Sequence, residues 1–236
     1  MKTFTEQPDF FAAAGPIIHH LGNAELVEYS SAFSSIESAG YFRFLLEKIN
    51  WQKAKIRIAG KAIPIPRLQC WVGDPSLTYA YSGIRMQPQG WSEPLQAIRA
   101  RVQQLTGYQF NAVLLNLYRD GNDSVAWHAD DEPELGPNPV VASVSFGACR
   151  PFELKPRPVG KKKIQQDPTD GVGQINAMED SNGSKEAVPG KFRIMLQHGS
   201  LLVMGNTIQN NWLHRLPKVK SLPEPRINLT FRRLLS

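Results

Sequence analysis

The hydrophobic period of this chain changes near Gly107, and the change limits the folds that are open to it. Before Gly107, two segments have helical spacing, SSIESAGYFRFLLEKI behind a cap at Ser34 and SEPLQAIRARVQQLTG from Ser92. The first of these helices has its apolar residues near one face at Ile36, Ala39, Leu46 and Ile49. After Gly107, period-two segments predict strands at 110–118, 124–130, 140–147, 192–197, 200–205 and 226–232. Two helices followed by many short strands predict an α+β domain built on a β-sandwich or barrel.

The domain organisation follows from length and from local composition. A chain of 236 residues with 42% hydrophobic content can bury the core of one large domain. Residues 1–30 have no sustained period, so we expect a loosely ordered lead-in before a single domain over 31–236. Residues 156–190 are polar, rich in Gly, Pro and Ser, and carry a lysine triplet. This composition predicts a long disordered loop between strands.

Charge and cysteine content bear on partners and compartment. The chain has 27 Lys and Arg against 21 Asp and Glu, a moderately basic balance that often accompanies a polyanionic partner. The two cysteines, Cys70 and Cys149, lack the paired spacing of a zinc site or a disulfide framework. We see neither a secretory signal nor an apolar run long enough to span a membrane. We therefore expect an intracellular protein with no membrane partner.

The segment WHADDE, residues 127–132, concentrates groups that can bind a metal. On a strand, His128 and Asp130 would point to the same face because side chains alternate. A second histidine would complete the set of two imidazoles and one carboxylate that leaves three positions open on Fe(II). Among the other histidines, His214 lies between two predicted strands and is the better choice over His198, which lies in a turn. Taken alone, a His-x-Asp pair is more often a surface or core pair with no metal.

Polar residues also alternate along two other predicted strands. RINLTFR has four polar residues on one face, and NAVLLNLY adds two in a strand otherwise too apolar to face water; the six are Arg226, Asn228, Thr230, Arg232, Asn116 and Tyr118. A simple amphipathic strand with its polar side in solvent is the alternative. Together the guanidinium, amide and phenol groups suit a small dicarboxylate.

Six motifs occur in an order that resembles the AlkB family of Fe(II)- and 2-oxoglutarate-dependent dioxygenases, with most similarity to the branch that repairs duplex DNA. They are NAVLLNLYRDG, WHADDE, VASVSFGACRPFEL, HGSLLVMGN, NWLHRLPK and PRINLTFRRL, within a similarity that runs from about residue 64 to the C-terminus without 156–190. The resemblance implies a double-stranded β-helix (jelly-roll) core with supporting N-terminal helices. It implies that His128, Asp130 and His214 bind iron and that Arg232 pairs with the distal carboxylate of 2-oxoglutarate. The rest of that pocket would be Arg226, Asn116, Tyr118, Asn228 and Thr230.

The resemblance also implies contacts to the substrate base. Tyr81 in LTYAYSG would sandwich a flipped base against the ring of His128, with Tyr79 and Ser82 lining the same pocket. Asp131 would lie near the nucleotide, and Glu132 would contact the lesion base. The alternatives are ordinary strand aromatics and a solvated acidic turn.

One hairpin departs from the family pattern. In the duplex-specific branch it carries a bulky aromatic that fills the gap left by the flipped base, whereas KIRIAGKAIPIPR has Ala59 between Ile58 and Gly60. Either Ile58 acts as the wedge or duplex opening is weaker. Arg67, which follows the hairpin, would contact the phosphates or the vacated site.

These implications add up to an expected function. We expect oxidative demethylation of 1-methyladenine and 3-methylcytosine in DNA with Fe(II), 2-oxoglutarate and O2, releasing formaldehyde, succinate and CO2. The alternatives are an RNA or protein demethylase on the same core, or a catalytically silent nucleic-acid-binding module. We expect a monomer, located in the nucleus if the organism is eukaryotic and in the cytoplasm if it is bacterial.

Overall fold

The computed structural model describes residues 15–235 apart from 59–60, 76, 78, 82–83, 87 and 159–189, and at 56–58, 61, 79–81, 84–86 and 206 it describes the backbone alone. The helices are α1 (Ser35–Lys48), α2 (Glu93–Thr106) and α3 (Asn206–Asn211). The strands are β1 (Ile17–Leu21), β2 (Ala24–Tyr29), β3 (Gln52–Ile58), β4 (Lys61–Gly73), β5 (Tyr79–Tyr81), β6 (Ile84–Met86), β7 (Ala112–Tyr118), β8 (Val125–His128), β9 (Val141–Gly147), β10 (Arg150–Pro156), β11 (Phe192–Leu196), β12 (Ser200–Met204), β13 (Trp212–Leu216) and β14 (Arg226–Arg232). The loop predicted at 156–190 lies almost wholly outside the described residues.

The strands form two antiparallel sheets that pack face to face. The larger sheet has the order β1-β2-β12-β9-β14-β7-β4-β3, and the smaller has the order β11-β10-β13-β8. Strands β5 and β6 pair separately. One buried cluster joins the facing sides, with Leu202 and Met204 of the larger sheet beside Phe152 and Leu154 of the smaller. The predicted jelly-roll core is confirmed.

The helices α1 and α2 cover the outer face of the larger sheet. Leu45 of α1 and Ile98 of α2 lie in one buried cluster with Leu229 and Phe231 of β14. The predicted apolar face of α1 is wrong, because Ile36 is 87% exposed. The face that packs against the core instead has Ser38, Tyr41, Phe42, Leu45 and Ile49, of which only Ile49 was predicted, and Phe44 packs there as well. The prediction counted aliphatic residues and overlooked the aromatic ones.

The expectation of a loosely ordered lead-in over 1–30 is wrong for residues 17–29. Strands β1 and β2 form a hairpin whose two-residue turn begins at Gly22, with φ of 64°. Strand β2 then pairs with β12, with Val27 opposite Val203. Leu21 and Leu26 are buried between the sheets, and this burial stabilises a hairpin too short to be evident from its period. Residues 1–14 lie outside the described part.

The structure also has strands that the hydrophobic period did not predict, namely β3, β4, β5, β6, β10 and β13. Strand β4 contains Pro64 and Pro66, which argue against a central strand because proline cannot donate to a ladder. The structure accommodates both because β7 pairs with β4 only from Leu68 onward, so the prolines lie where β4 has β3 alone as a neighbour. Across the described ranges, none of the helices has the length and apolar character needed to cross a bilayer.

Candidate metal centre and cosubstrate pocket

Two strands and one loop bring the three predicted metal ligands together. His128 ends β8, and His214 lies directly opposite it on β13, with ring centroids 4.3 Å apart. The Asp130 carboxylate lies 4.0 Å from Nε2 of His128 and 3.8 Å from Nε2 of His214. One ligand atom from each residue falls within 4.8 Å of the others. Strand β8 stops at His128, so Asp130 reaches the site from a loop and not by strand alternation as predicted.

The protonation of these groups fits metal binding. Burial lowers the pKa of His214 to about 3, so its imidazole is neutral at physiological pH. Burial alone would raise the pKa of Asp130, but Arg232, together with the nearby histidines, holds that pKa below its usual range. Metal ions bind the deprotonated forms of both residue types. Nδ1 of His128 lies 2.9 Å from the carbonyl oxygen of Ala126, which leaves Nε2 toward Asp130. Two imidazoles and one carboxylate form the donor set of non-haem Fe(II) oxygenases.

The other histidines lie away from this cluster. His198 Nδ1 accepts a hydrogen bond from the backbone N of Gly147 at 2.9 Å. His19 pairs with Glu28 at 2.8 Å in the β1–β2 hairpin. The choice of His214 over His198 therefore agrees with the geometry.

A buried polar cavity extends from the metal cluster between the two sheets. All seven residues of β14 are buried, so the alternative of a strand with its polar side in solvent is wrong. The cavity is lined by all six residues predicted for the cosubstrate, namely Asn116, Tyr118, Arg226, Asn228, Thr230 and Arg232. Apolar side chains close its other walls, among them Leu114, Phe152, Leu196 and Met204.

The two arginines of β14 lie at opposite ends of this cavity. Nη2 of Arg232 donates to Oδ1 of Asp130 at 2.7 Å, so Arg232 is at the metal end. Arg226 lies six residues earlier, roughly 20 Å away along an extended strand. Its Nη2 donates to Oγ of Ser145 at 2.9 Å, and its guanidinium lies 5.3 Å from the ring of Tyr118. Burial lowers the pKa of Arg226 to about 10, so it is still a cation at neutral pH. The implied role of Arg232, pairing with the distal carboxylate, does not match its position beside Asp130.

Hydrogen bonds hold Asn116 and Asn228 in place, and some of the partners were not predicted. Oδ1 of Asn116 accepts hydrogen bonds from Nε of Arg67 at 2.8 Å and from Nε2 of Gln69 at 2.9 Å. Arg67 is only 6% exposed but lines both this cavity and an open groove beside His128, so its expected contact with phosphates or a vacated base site stays a prediction. Nδ2 of Asn228 donates to Oγ of Ser143 at 2.8 Å. Four polar residues that bond to the site were not predicted, namely Gln69, Ser143, Ser145 and Gln209. The alternation of Ser143 and Ser145 in VASVSFG was a usable signal.

The two acidic residues after Asp130 take different positions. Asp131 is exposed, and its Oδ2 accepts a hydrogen bond from Nη2 of Arg157 at 2.7 Å. Glu132 is half-buried and precedes a short 3₁₀ helix at Pro133–Leu135. Their predicted contacts with a nucleotide remain predictions.

The remaining predicted substrate residues are described in part or not at all. Tyr79 and Tyr81 are the ends of β5, and Ile58 ends β3, with only their backbones described. Ala59, Gly60 and Ser82 lie outside the described residues. The roles assigned to these six residues stay predictions.

Comparison with known proteins places the geometry in a family. The model of the 2OG-Fe(II) oxygenase superfamily matches residues 26–232. The chain is 37% identical over 212 residues to the mouse DNA oxidative demethylase ALKBH2, covering 88% of this chain and 80% of that protein. It is 36% identical over 227 residues to the human ALKBH2, covering 94% and 79%. It is 42% identical over 168 residues to the human alpha-ketoglutarate-dependent dioxygenase alkB homolog 3, covering 71% of this chain and 51% of that protein.

Solved structures share the fold at low sequence identity. The structure of OsALKBH1 superposes with a TM-score of 0.52 at 17% identity, covering 92% of this chain and 100% of that chain. A 2OG-Fe(II) oxygenase family oxidoreductase from Burkholderia pseudomallei superposes with a TM-score of 0.51 at 12% identity, covering 88% and 84%.

Proposed function

Because the chain belongs to the AlkB family within the 2OG-Fe(II) oxygenase superfamily, we propose that it is a DNA-repair dioxygenase that demethylates 1-methyladenine and 3-methylcytosine. The observation that carries the proposal is the convergence of His128, Asp130 and His214 at one end of a buried, arginine-lined cavity. The names of the relatives, DNA oxidative demethylases from mouse and human, support DNA as the substrate class.

The residues of the cavity fit Fe(II) and 2-oxoglutarate. His128, Asp130 and His214 would hold the iron, and the bound iron and keto acid supply the oxidation of the methyl carbon by O2. We assign the distal carboxylate to Arg226, because this buried cation lies at the end of the cavity away from Asp130. Tyr118 and Ser145 lie beside that guanidinium and support its position.

Each remaining residue of the site has a role that its contacts support. Arg232 keeps Asp130 ionised and oriented through their 2.7 Å pair. Asn228, oriented by Ser143, and Thr230, whose Oγ1 donates to Oδ1 of Asn228 at 2.9 Å, form the polar floor of the cavity. The apolar wall, which includes Phe152, excludes water, so the charge pairs act in a low-dielectric site.

Access to the metal centre is from the side of His128. Its side chain is 29% exposed, whereas that of His214 is 3% exposed. An open groove beside His128 is lined by Trp127, Arg215 and Lys218, among others. The Arg215 guanidinium, which pairs with Glu153 at 2.7 Å, lies 4.5 Å from the Trp127 ring, and Nζ of Lys155 lies 4.6 Å from the same ring. Cations along this groove suit a phosphate backbone, which supports a nucleic-acid substrate over a protein.

The proposal is tested by incubating the enzyme, Fe(II) and 2-oxoglutarate with a mixed panel of methylated oligonucleotides. The panel contains 1-methyladenine and 3-methylcytosine in single-stranded and duplex DNA and in RNA, and mass spectrometry measures loss of the methyl group. We expect loss from DNA, at a higher rate than from RNA. Faster loss from RNA would assign the RNA alternative, and no loss from any member would contradict the proposal. The monomeric state and the intracellular location remain predictions.

The hairpin between β3 and β4 leads to a prediction about strand preference. Flipping a base from a duplex costs a few kcal/mol, and an inserted side chain recovers part of that cost. The methyl group of Ala59 fills little of the gap. We therefore expect this protein to prefer single-stranded over duplex DNA more strongly than an enzyme with a bulky side chain at this position. Ala59→Phe should therefore raise kcat/KM for 3-methylcytosine in duplex DNA and leave that for single strands unchanged.

The matched variant is Ile58→Ala, which removes the other candidate wedge. If Ile58 is the wedge, this variant loses duplex activity selectively. A parent enzyme that prefers duplex DNA, and that keeps this preference in Ile58→Ala, would show that the hairpin does not fill the gap.

A further inference from the structure

Gln209 connects the chain segments that carry two of the proposed iron ligands. It lies in α3, immediately before β13 and His214, and its side chain is fully buried. Its Oε1 accepts a hydrogen bond from the backbone N of Asp130 at 3.0 Å. One side chain therefore links the loop of Asp130 to the element that leads into the strand of His214.

Arg157 makes a second connection between the same segments. Its Nη2 donates to Oδ2 of Asp131 at 2.7 Å and to the carbonyl oxygen of Gln209 at 3.2 Å. Its backbone N donates to the carbonyl oxygen of Asn211 at 2.7 Å. Gln209 and Arg157 thus close a ring of hydrogen bonds around the loop that carries Asp130 and Asp131.

The hydrogen bonds between strands do not position Asp130. The bonds made by Gln209 and Arg157 are therefore needed to hold its loop. Strand β8 ends at His128, and its register with β13 shifts between His214 and Leu216. Arg232 donates to the carboxylate of Asp130 and so orients its side chain. The hydrogen bond to Gln209 holds the backbone of that residue beyond the end of the ladder.

Packing alone does not explain a glutamine at position 209. Within the described part of the chain, its Nε2 is buried and has no hydrogen-bond partner. A buried donor without a partner destabilises a fold, so an apolar residue of similar size would pack better there. Only the amide oxygen can accept from the N–H of Asp130, and this sets the orientation of the side chain.

We propose that Gln209 and Arg157 are positioning residues, forming a clamp that fixes the backbone of Asp130 relative to His214. The inference rests on the proposed metal site and adds to it two residues that do not touch the metal. Without the clamp, all three ligand side chains are still present, but the loop that carries Asp130 can move. Metal affinity therefore falls even in a protein that is still folded. Supporting groups of this kind change metal affinity by about 10- to 100-fold.

The test compares Gln209→Met with a matched variant elsewhere in the protein, Gln103→Met. Oε1 of Gln103 in α2 accepts a hydrogen bond from the backbone N of Phe110 at 2.9 Å, so this variant loses the same type of bond away from the metal centre. Co(II) is the probe, titrated into each metal-free protein and followed by its visible absorption, with thermal unfolding of the same samples as a second measurement. We expect Gln209→Met to weaken Co(II) binding by about tenfold or more. We expect Gln103→Met to bind as the parent does, although both variants lose stability.

A double-mutant cycle separates a shared clamp from general destabilisation. Since Arg157 and Gln209 hold the same loop, Arg157→Met should weaken Co(II) binding less in the Gln209→Met background than in the parent. In the Gln103→Met background, Arg157→Met should keep its full effect. Equal Co(II) affinity in Gln209→Met and Gln103→Met, or additive effects of Gln209→Met and Arg157→Met, would overturn the clamp.

Two further variants separate a failure of the clamp from a failure of the metal-site assignment. His214→Ala should lose Co(II) binding; if it binds as the parent does, the metal site itself is wrongly assigned, whatever Gln209→Met does. If the parent and His214→Ala behave as expected, a failure concerns the clamp alone. If Gln209→Met does not fold, half-exposed Arg157 decides the question, and unchanged Co(II) affinity in Arg157→Met overturns the proposal.

Discussion

We expect His214→Ala to abolish demethylation and Fe(II) binding, and His198→Ala to leave both unchanged. His214 is 2% exposed and faces His128 and Asp130, and without it one carboxylate and one imidazole remain to hold the metal. His198 accepts one backbone hydrogen bond outside the cluster, so its loss costs about 1 kcal/mol of stability. Turnover with 3-methylcytosine oligonucleotide and anaerobic Fe(II) titration measure the two effects. An inactive His198→Ala beside an active His214→Ala would show that the ligand assignment is wrong.

We expect Arg226→Met to raise the apparent KM for 2-oxoglutarate by about a hundredfold and to leave Fe(II) affinity intact. Removing the cation that pairs with a buried carboxylate costs ~3 kcal/mol, because the anion is left desolvated. Steady-state rates at varied 2-oxoglutarate, with Fe(II) saturating, measure the change. Arg193→Met is the control, since it removes the same charge from an exposed position on β11.

The companion variant Arg232→Met distinguishes the two assignments of the distal carboxylate. Arg232 holds Asp130, so we expect its loss to impair the metal centre and not the 2-oxoglutarate requirement specifically. The opposite pattern, a raised KM in Arg232→Met and an unchanged KM in Arg226→Met, would restore the role that the family resemblance implies for Arg232.

The polar face of β14 was predictable because side-chain alternation on a strand is independent of the rest of the fold. Alternation placed Arg226, Asn228, Thr230 and Arg232 on one face, and that face lines the cavity. Alternation could not show which of the two arginines lies at the metal end of the cavity and which lies at the opposite end. That assignment depends on which end of β14 faces β8 and β13, a property of sheet packing that local spacing does not contain.

The structure brings the three predicted metal ligands together, but part of the argument that predicted them was wrong. Strand alternation from His128 to Asp130 does not hold, because the ladder ends at His128. Asp130 meets His128 through bonds from Gln209 and Arg232, residues distant in the sequence. No local pattern could have identified Gln209, since a lone glutamine in a short helix carries no periodic signal.

Two of the missed elements, strand β4 and the β1–β2 hairpin, share a physical cause. Strand β4 contains two prolines, and the β1–β2 hairpin is short, so neither has a strong local preference for a strand. Both are stabilised by tertiary pairing, β4 with β7 and β2 with β12. Such pairing between distant segments overrides local propensity.

The measurement that most directly tests the central claim is the coupled yield of succinate and formaldehyde. The enzyme, Fe(II), 2-oxoglutarate and a single-stranded oligonucleotide with one 3-methylcytosine are mixed in air, and both products are measured over time. We predict that the two products rise together in equal amounts with the parent enzyme and that neither forms with His214→Ala. An iron-loaded parent enzyme that forms no formaldehyde from this substrate would contradict the assignment of the chain as a base demethylase.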